Sequence, residues 1–250
     1  MSTVAEPLYV YGVVRAGTTA PRGRGVLDAP LDLVAGGPVA ALVSPVASER
    51  VRAKRRDLLA HSDVLQAAHT TGVVLPLRFG TLFESSDDLR ARFLEPRRRE
   101  LTTLLDRFAG LSEMRVRGEY DDQEAVLAEI VSQDGQIARL RAATRSGHAT
   151  EGDLVHLGEL VARRYEARRA ADRRDVIERL CARAVDVRQD EPQSEVEFAR
   201  ASFLIRTRDR EAFDELLDSV ALGLRHLARF TCTGPMPPHS FVSLERGGGN

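Results

Sequence analysis

The sequence predicts an α+β protein of two domains, the second a modified ferredoxin-like sandwich with an inserted, arginine-rich helix. Three observations lead there. At 250 residues the chain is long enough for two domains that each bury a core. Short runs with strand periodicity alternate along it with longer runs of helical periodicity. In the second half, once the Arg-rich helix is set aside, the order of these runs is β-α-β-β-α-β, that of the split-βαβ sandwich. The expected organisation is an N-terminal α+β domain over residues 1–110, a ferredoxin-like domain over 111–244 with its insert at about 150–184, and a flexible tail at 245–250.

The first half opens with Leu8 to Val14, apolar on both faces as an interior strand is. A Gly/Pro/Arg-rich loop from Ala16 to Gly25 leads to two short strands, Leu31 to Val34 and Val39 to Val43, hinged at Gly36-Gly37-Pro38. Arg52 to His69 reads as a helix with Leu58, Leu65 and His69 along one side, ended by Gly72. A short apolar run, Val73 to Leu77, is broken at Pro76. Ser85 or Ser86 followed by Asp87 and Asp88 is an N-cap signal, and Pro96 kinks or restarts the helix that runs on to Gly110.

In the second half Met114, Val116 and Gly118 alternate with Glu113, Arg115, Arg117 and Glu119, a strand with one wet face. One helix is expected from Asp121 or Asp122 to about Arg145, and a long Arg-rich helix from Asp153 to Ala184. Val185 and Val187 suggest a short strand, and Ala199 to Ile205 a third. Phe213, Leu216, Leu217, Val220 and Leu224 form a helical stripe. A half-buried strand carries Ala228, Phe230 and Cys232 inward. Pro235, Pro237 and Pro238 then remove three backbone donors and fix three φ angles, so neither helix nor interior strand continues. The chain leaves that strand as a stiff strap ending in Phe241 and Val242. Nothing in the strap is chemically reactive, which favours binding over catalysis.

Composition excludes several classes. The formal net charge is −1, so no bulk basic field favours nucleic acid or an anionic membrane. Up to residue 120 there are 17 basic and 14 acidic residues, and beyond it 19 and 23, an asymmetry too mild to name a partner. The N-terminus has no basic region leading into an apolar one, and no run approaches the length of a membrane span. A cytoplasmic protein is expected, with Cys181 and Cys232 as small core residues in a reducing compartment.

The six histidines invite a metal or acid–base reading. His61 and His69, eight apart on one helix, are too far apart to share an ion, and no other pair has ligand spacing. Asp57 lies at i−4 to His61, so a His–Asp pair is geometrically possible; the bland reading is a solvated pair on the helix surface. No phosphate loop, dinucleotide fingerprint or nucleophile elbow occurs. The expected sites are therefore without catalytic, cofactor or metal residues. The Arg163-Arg164, Arg168-Arg169, Arg173-Arg174 ladder winds around its helix and interleaves with acids, the pattern of a solvated, salt-bridged helix. With only Tyr165 among its aromatics, it is a poor nucleic-acid surface.

Four segments, in order along nearly the whole chain, carry a resemblance. They are Leu8-Tyr9-Val10-Tyr11-Gly12, Leu58-Leu59-Ala60-His61, Leu75-Pro76-Leu77-Arg78-Phe79-Gly80-Thr81, and Gly234-Pro235-Met236-Pro237-Pro238-His239-Ser240-Phe241-Val242. Together they resemble the gas vesicle protein F/L family (GvpF/GvpL). Met236 and His239 stand where that family usually carries Trp and Tyr. The resemblance implies two α+β domains, the second ferredoxin-like with a variable insert. It also implies a minor, non-enzymatic gas vesicle component in the cytoplasm and at the vesicle, which contacts the small hydrophobic shell protein (GvpA) or other accessory proteins. It points to Leu75, Pro76, Arg78, Phe79, Gly234, Pro235, Pro237, Pro238 and Phe241 as candidate interface or interdomain residues, with Phe241 expected to anchor the strap across the two domains. The alternatives are an enzyme using Asp57 and His61, and a regulatory contact through the Arg-rich helix.

Overall fold

The computed structural model describes residues 6–47, 51–146 and 149–244; the expected tail at 245–250 and His148 lie outside them. The chain forms two compact units. One comprises Met1–Glu113 with Arg206–Arg208 and Gly234–Asn250, the other Met114–Ile205 with Asp209–Thr233.

The first unit is built on β1 (Leu8–Arg15), β2 (Asp32–Gly36), β3 (Val39–Pro45), β4 (Leu75–Pro76) and β5 (Leu82–Phe83). The sheet runs β2-β3-β1-β4 with β5 also on β1, and the pairs are antiparallel. As its continuous apolar run predicts, β1 is buried on both faces from Tyr9 to Val14. Against β3 its register slips between Val10 and Gly12, a bulge that leaves Tyr11 as the extra residue. Gly12 lets β4 close on the other side, since a Cβ there would stand 2.6 Å from the Leu75 carbonyl oxygen.

Helix α1 (Arg55–Thr71) lies on Tyr9, Tyr11, Val14, Ala40 and Leu42 through Val64, Leu65 and Ala68. Its buried face runs Asp57, His61, Val64, Leu65, Ala68, so the expected stripe through Leu58 is corrected: Leu58 faces out. Two polar residues occupy positions of the inward face, and this hides its true phase from an apolar pattern. Further on, α2 (Ser86–Leu89) starts at Ser85, whose hydroxyl accepts from the Asp88 N–H. A π-helical turn at Arg90–Leu94 precedes Pro96, and α3 (Arg98–Phe108) restarts after it, burying Leu101, Leu105 and Phe108.

The second unit holds most of β6 (Leu111–Tyr120), together with β7 (Asp186–Gln189), most of β8 (Glu197–Arg206) and the start of β9 (Ala228–Met236). The sheet order is β7-β8-β6-β9, with the first and third strands of the domain at the centre, which is the ferredoxin-like order. Helix α7 (Arg210–Leu224) buries Phe213, Leu217 and Val220. The single helix expected over 121–145 is two, α4 (Gln123–Gln133) and α5 (Gly135–Arg145). Asp134 makes the break: its carboxylate accepts from the Gln136 and Ile137 N–H groups and caps α5. The Arg-rich α6 (Glu151–Cys181) opens with a capping box between Thr150 and Asp153, and its last turns add Val176, Ile177 and Leu180 to the core.

Two strand expectations are corrected. The expected wet face of β6 carries buried carboxylates at both ends, Glu113 and Glu119. β9 continues through the cis Gly234–Pro235 bond to Met236. As an outer strand it accommodates Pro235, and Cys232 on it is exposed, not a core residue.

Gly12→Ala is expected to destabilise the first unit by about 1–3 kcal/mol, because the crowded group is backbone and cannot rotate away. Gly158→Ala, in open space on α6, is expected to stabilise by up to about 1 kcal/mol. Urea unfolding of the two variants beside the wild type measures both.

Candidate functional site

The four motif segments lie within the first unit, and three of them meet around a buried histidine. β1 places Tyr9 and Tyr11 under α1, which lowers His61 between them. The Tyr11 ring stacks on the imidazole at 5.6 Å, while Tyr9 and Phe79 each meet it edge-on at 5.7 Å. The Tyr9 hydroxyl lies 2.9 Å from His61 Nδ1 and also accepts from the Gly80 N–H at 3.2 Å. A phenol has one proton to give. With Gly80 donating to its oxygen, Tyr9 donates to Nδ1, and the other ring nitrogen donates to the Leu77 backbone carbonyl.

The imidazole is thereby fixed in one neutral tautomer. Burial first, and the positive charge of a protonated His239 second, lower its pKa to about 4. Burial likewise pushes the Tyr9 and Tyr11 hydroxyls above the ordinary phenol range. Tyr11 accepts from the Val26 N–H at 2.8 Å and lies 2.9 Å from Ser44 Oγ. About two turns further along α1, His69 Nε2 meets Ser112 Oγ at 2.9 Å, and Ser112 meets Thr207 Oγ1 at 2.7 Å. His69 is also held below its ordinary value, by burial and then by His239.

The strap belongs to this unit. Gln66 of α1 donates to the Pro235 carbonyl at 2.9 Å, and the buried Glu113 carboxylate accepts both the Ser240 N–H and hydroxyl at 2.7 Å. The Leu75–Thr81 segment is tied to β1 by two backbone bonds, Leu77 N–H to the Tyr11 carbonyl and Val10 N–H to the Thr81 carbonyl. Of the residues singled out in the sequence, Leu75, Pro76, Pro237 and Pro238 are buried. Phe79, Pro235 and Phe241 are half-buried, and Arg78 and Gly234 are exposed.

The solvated Asp57–His61 pair is corrected. Both residues are buried, at 1% and 7% exposure, and they face different partners. Asp57 accepts from the Leu27 N–H and from Arg56, each at 3.3 Å, while His61 faces Tyr9. With both imidazole nitrogens engaged and the ring enclosed by three aromatics, the arrangement offers no free base. Among the described residues, no group of three or more His, Cys, Asp or Glu is placed to hold a metal ion. Sequence reasoning missed Tyr9, Tyr11, Gln66 and Glu113. The available signal was the Tyr-x-Tyr spacing, which puts two hydroxyls near one face of an otherwise apolar strand.

In the second unit three of the six ladder arginines are ion-paired: Arg164 with Asp134 at 2.6 Å, Arg169 with Glu166 at 2.7 Å, and Arg168 with Asp172 at 2.8 Å. Arg168 also reaches Glu129 of α4, and the half-buried Asp172 accepts from the Tyr120 hydroxyl at 2.6 Å. These bonds bind the helices to one another and to β6.

The gas vesicle synthesis protein GvpL/GvpF family model matches residues 7–243. Gas vesicle protein F of a Streptomyces species is 35% identical, with 94% of this chain and 98% of that protein covered. Gas vesicle protein L2 of Halobacterium salinarum is 30% identical over 75% of this chain and 71% of its own. The crystal structure of GvpF from Anabaena shares the fold at a TM-score of 0.87 and 22% identity, covering 96% of this chain and all of that one.

The His61 geometry sets a pH dependence. Its folded-state pKa of about 4 lies below the unfolded value near 6.5. As pH falls the unfolded chain therefore takes up the proton first. The contribution is whole above about pH 6.5 and is lost towards pH 4. Between pH 7 and 5 the wild type should lose about 2 kcal/mol through this group. His61→Gln is expected to be less stable at pH 7 by about 1–3 kcal/mol and to show a correspondingly flatter slope. Urea midpoints at the two pH values measure it; equal slopes would refute the assignment.

Proposed function

We propose that this chain, which belongs to the gas vesicle synthesis protein GvpL/GvpF family, is a non-catalytic assembly factor that binds the small hydrophobic shell protein, or other accessory proteins, while vesicles form. The family supports an accessory role at the gas vesicle. The observation that carries the non-catalytic part is the neutral, enclosed His61, whose nitrogens are spent on Tyr9 and Leu77. The first three segments of the family resemblance build a frame around it, and the fourth is fastened in the same unit through Gln66 and Glu113. Among the described residues, no helix is long and apolar enough to cross a membrane.

A physical need fits this role. A small subunit that polymerises through apolar surfaces is an aggregation hazard until it is incorporated. A partner that covers those surfaces reversibly suppresses the side reaction, and needs shape and apolar area instead of a reactive group. The frame residues Leu75, Pro76, Pro237 and Pro238 belong in this reading to the support of the binding surface, and the more exposed Arg78, Phe79, Gly234 and Phe241 to its rim.

Co-expression of the tagged chain with the shell protein and the other accessory proteins of its vesicle tests the role. Retention of at least one of them at micromolar concentration is expected, together with fewer vesicles in a deletion strain. No retention of any, with vesicle formation intact in the deletion strain, would sink the proposal.

A further inference from the structure

We infer that the start of α1 and the loop over it form a docking surface for an acidic amphipathic helix. The loop makes an unusual choice of conformation. Leu27 and Asp28 are both left-handed, at φ 58° and 59°. Aspartate tolerates that region, whereas leucine rarely enters it. The strained leucine does not gain full burial in return, for it is 42% exposed. Besides the loop's own backbone bonds and the Val26 N–H to Tyr11 bond, the Leu27 N–H donates to the buried Asp57 carboxylate, and Arg24 donates to the Asp28 carbonyl at 3.0 Å.

Directly after Asp57 come Leu58 and Leu59, 44% and 54% exposed. The three strongly exposed large aliphatic side chains of the described first unit thus gather at the start of one helix. Such a patch marks an interaction site more often than chance exposure. The charge around it selects the partner. Arg52, Lys54 and Arg55 are exposed, and no acid pairs with them among the described residues. A partner with leucine-type side chains flanked by glutamate or aspartate satisfies both features. The patch offers helix surface and a closed loop, not a strand edge. An extended partner would leave its own backbone groups unpaired there, while a helix satisfies them internally.

This surface deepens the accessory-protein reading, but its test stands apart from it. A fluorescent synthetic 18-residue helix with leucines at i, i+3, i+4 and i+7 and glutamate flanks is titrated with the full chain. A twin with lysine flanks is the control. The glutamate helix is expected to bind about tenfold more tightly than its twin at low salt, and to weaken as salt is raised. Leu58→Gln/Leu59→Gln should weaken it about tenfold, and Lys54→Glu/Arg55→Glu should remove the preference between the two peptides. All four positions are exposed, so both variants are expected to keep the wild-type melting curve. Equal binding of the two peptides, or variants that bind as the wild type does, overturns the surface. Unchanged retention of vesicle proteins by the leucine variant overturns the surface and leaves the accessory reading standing. Failure of the wild type to retain any vesicle protein overturns that reading.

Discussion

The first unit depends on a single proton held in place. Each tyrosine hydroxyl on β1 accepts from a backbone N–H, Gly80 for Tyr9 and Val26 for Tyr11. A hydroxyl that accepts there has its own proton left to give. Tyr9 gives it to His61, and the Tyr11 and Ser44 hydroxyls share one hydrogen bond. The imidazole then has one remaining proton, which goes to the Leu77 carbonyl. The direction of the Tyr9–His61 bond is set by the backbone groups at its ends, the Gly80 N–H and the Leu77 carbonyl. A charged imidazole would present a second N–H to Tyr9, whose proton then has no acceptor, and would bury a cation among three rings. Burial and hydrogen-bond direction thus enforce the same neutral state.

Backbone geometry supports the same arrangement. The bulge at Tyr11 shifts the register of β1 against β3, while the Tyr11 carbonyl takes the Leu77 N–H on the other side. Gly12 admits β4 within a distance that any side chain would forbid. The bulge, the glycine and the hydrogen-bond chain each fix the position of the Leu75–Thr81 segment. Agreement between levels of this kind narrows the fold to one arrangement.

Much of this frame was legible in the sequence. The continuous apolar run of β1 predicted an interior strand, and the strand–helix order of the second half predicted the ferredoxin-like sheet. What escaped was polar. Asp57 and His61 sit on the inward face of α1, so hydrophobic phase alone turned Leu58 inward. Asp134 reads as one more charged residue in a helical run until its carboxylate is seen to cap α5. β9 passed beyond its expected end because outer-strand status, a property of the whole sheet, decides whether proline is tolerated. In each case a long-range partner or neighbour overrides a local pattern. The four motif segments, by contrast, were legible as a set, and all four lie in the first unit.

Both units carry surface ion pairs, in the first Arg15–Asp106, Arg92–Asp88 and Arg97–Glu100. The His61 frame of the first unit adds hydrogen bonds between uncharged groups in buried surroundings, where screening by salt has little effect. The second links its helices by ion pairs with partly exposed members, such as Arg164–Asp134 and Arg168 with Asp172 and Glu129. Those pairs are weak singly and respond to ionic strength. The Tyr9, Tyr11 and His61 contacts of the motif segments are therefore less sensitive to ionic strength than the surface pairs.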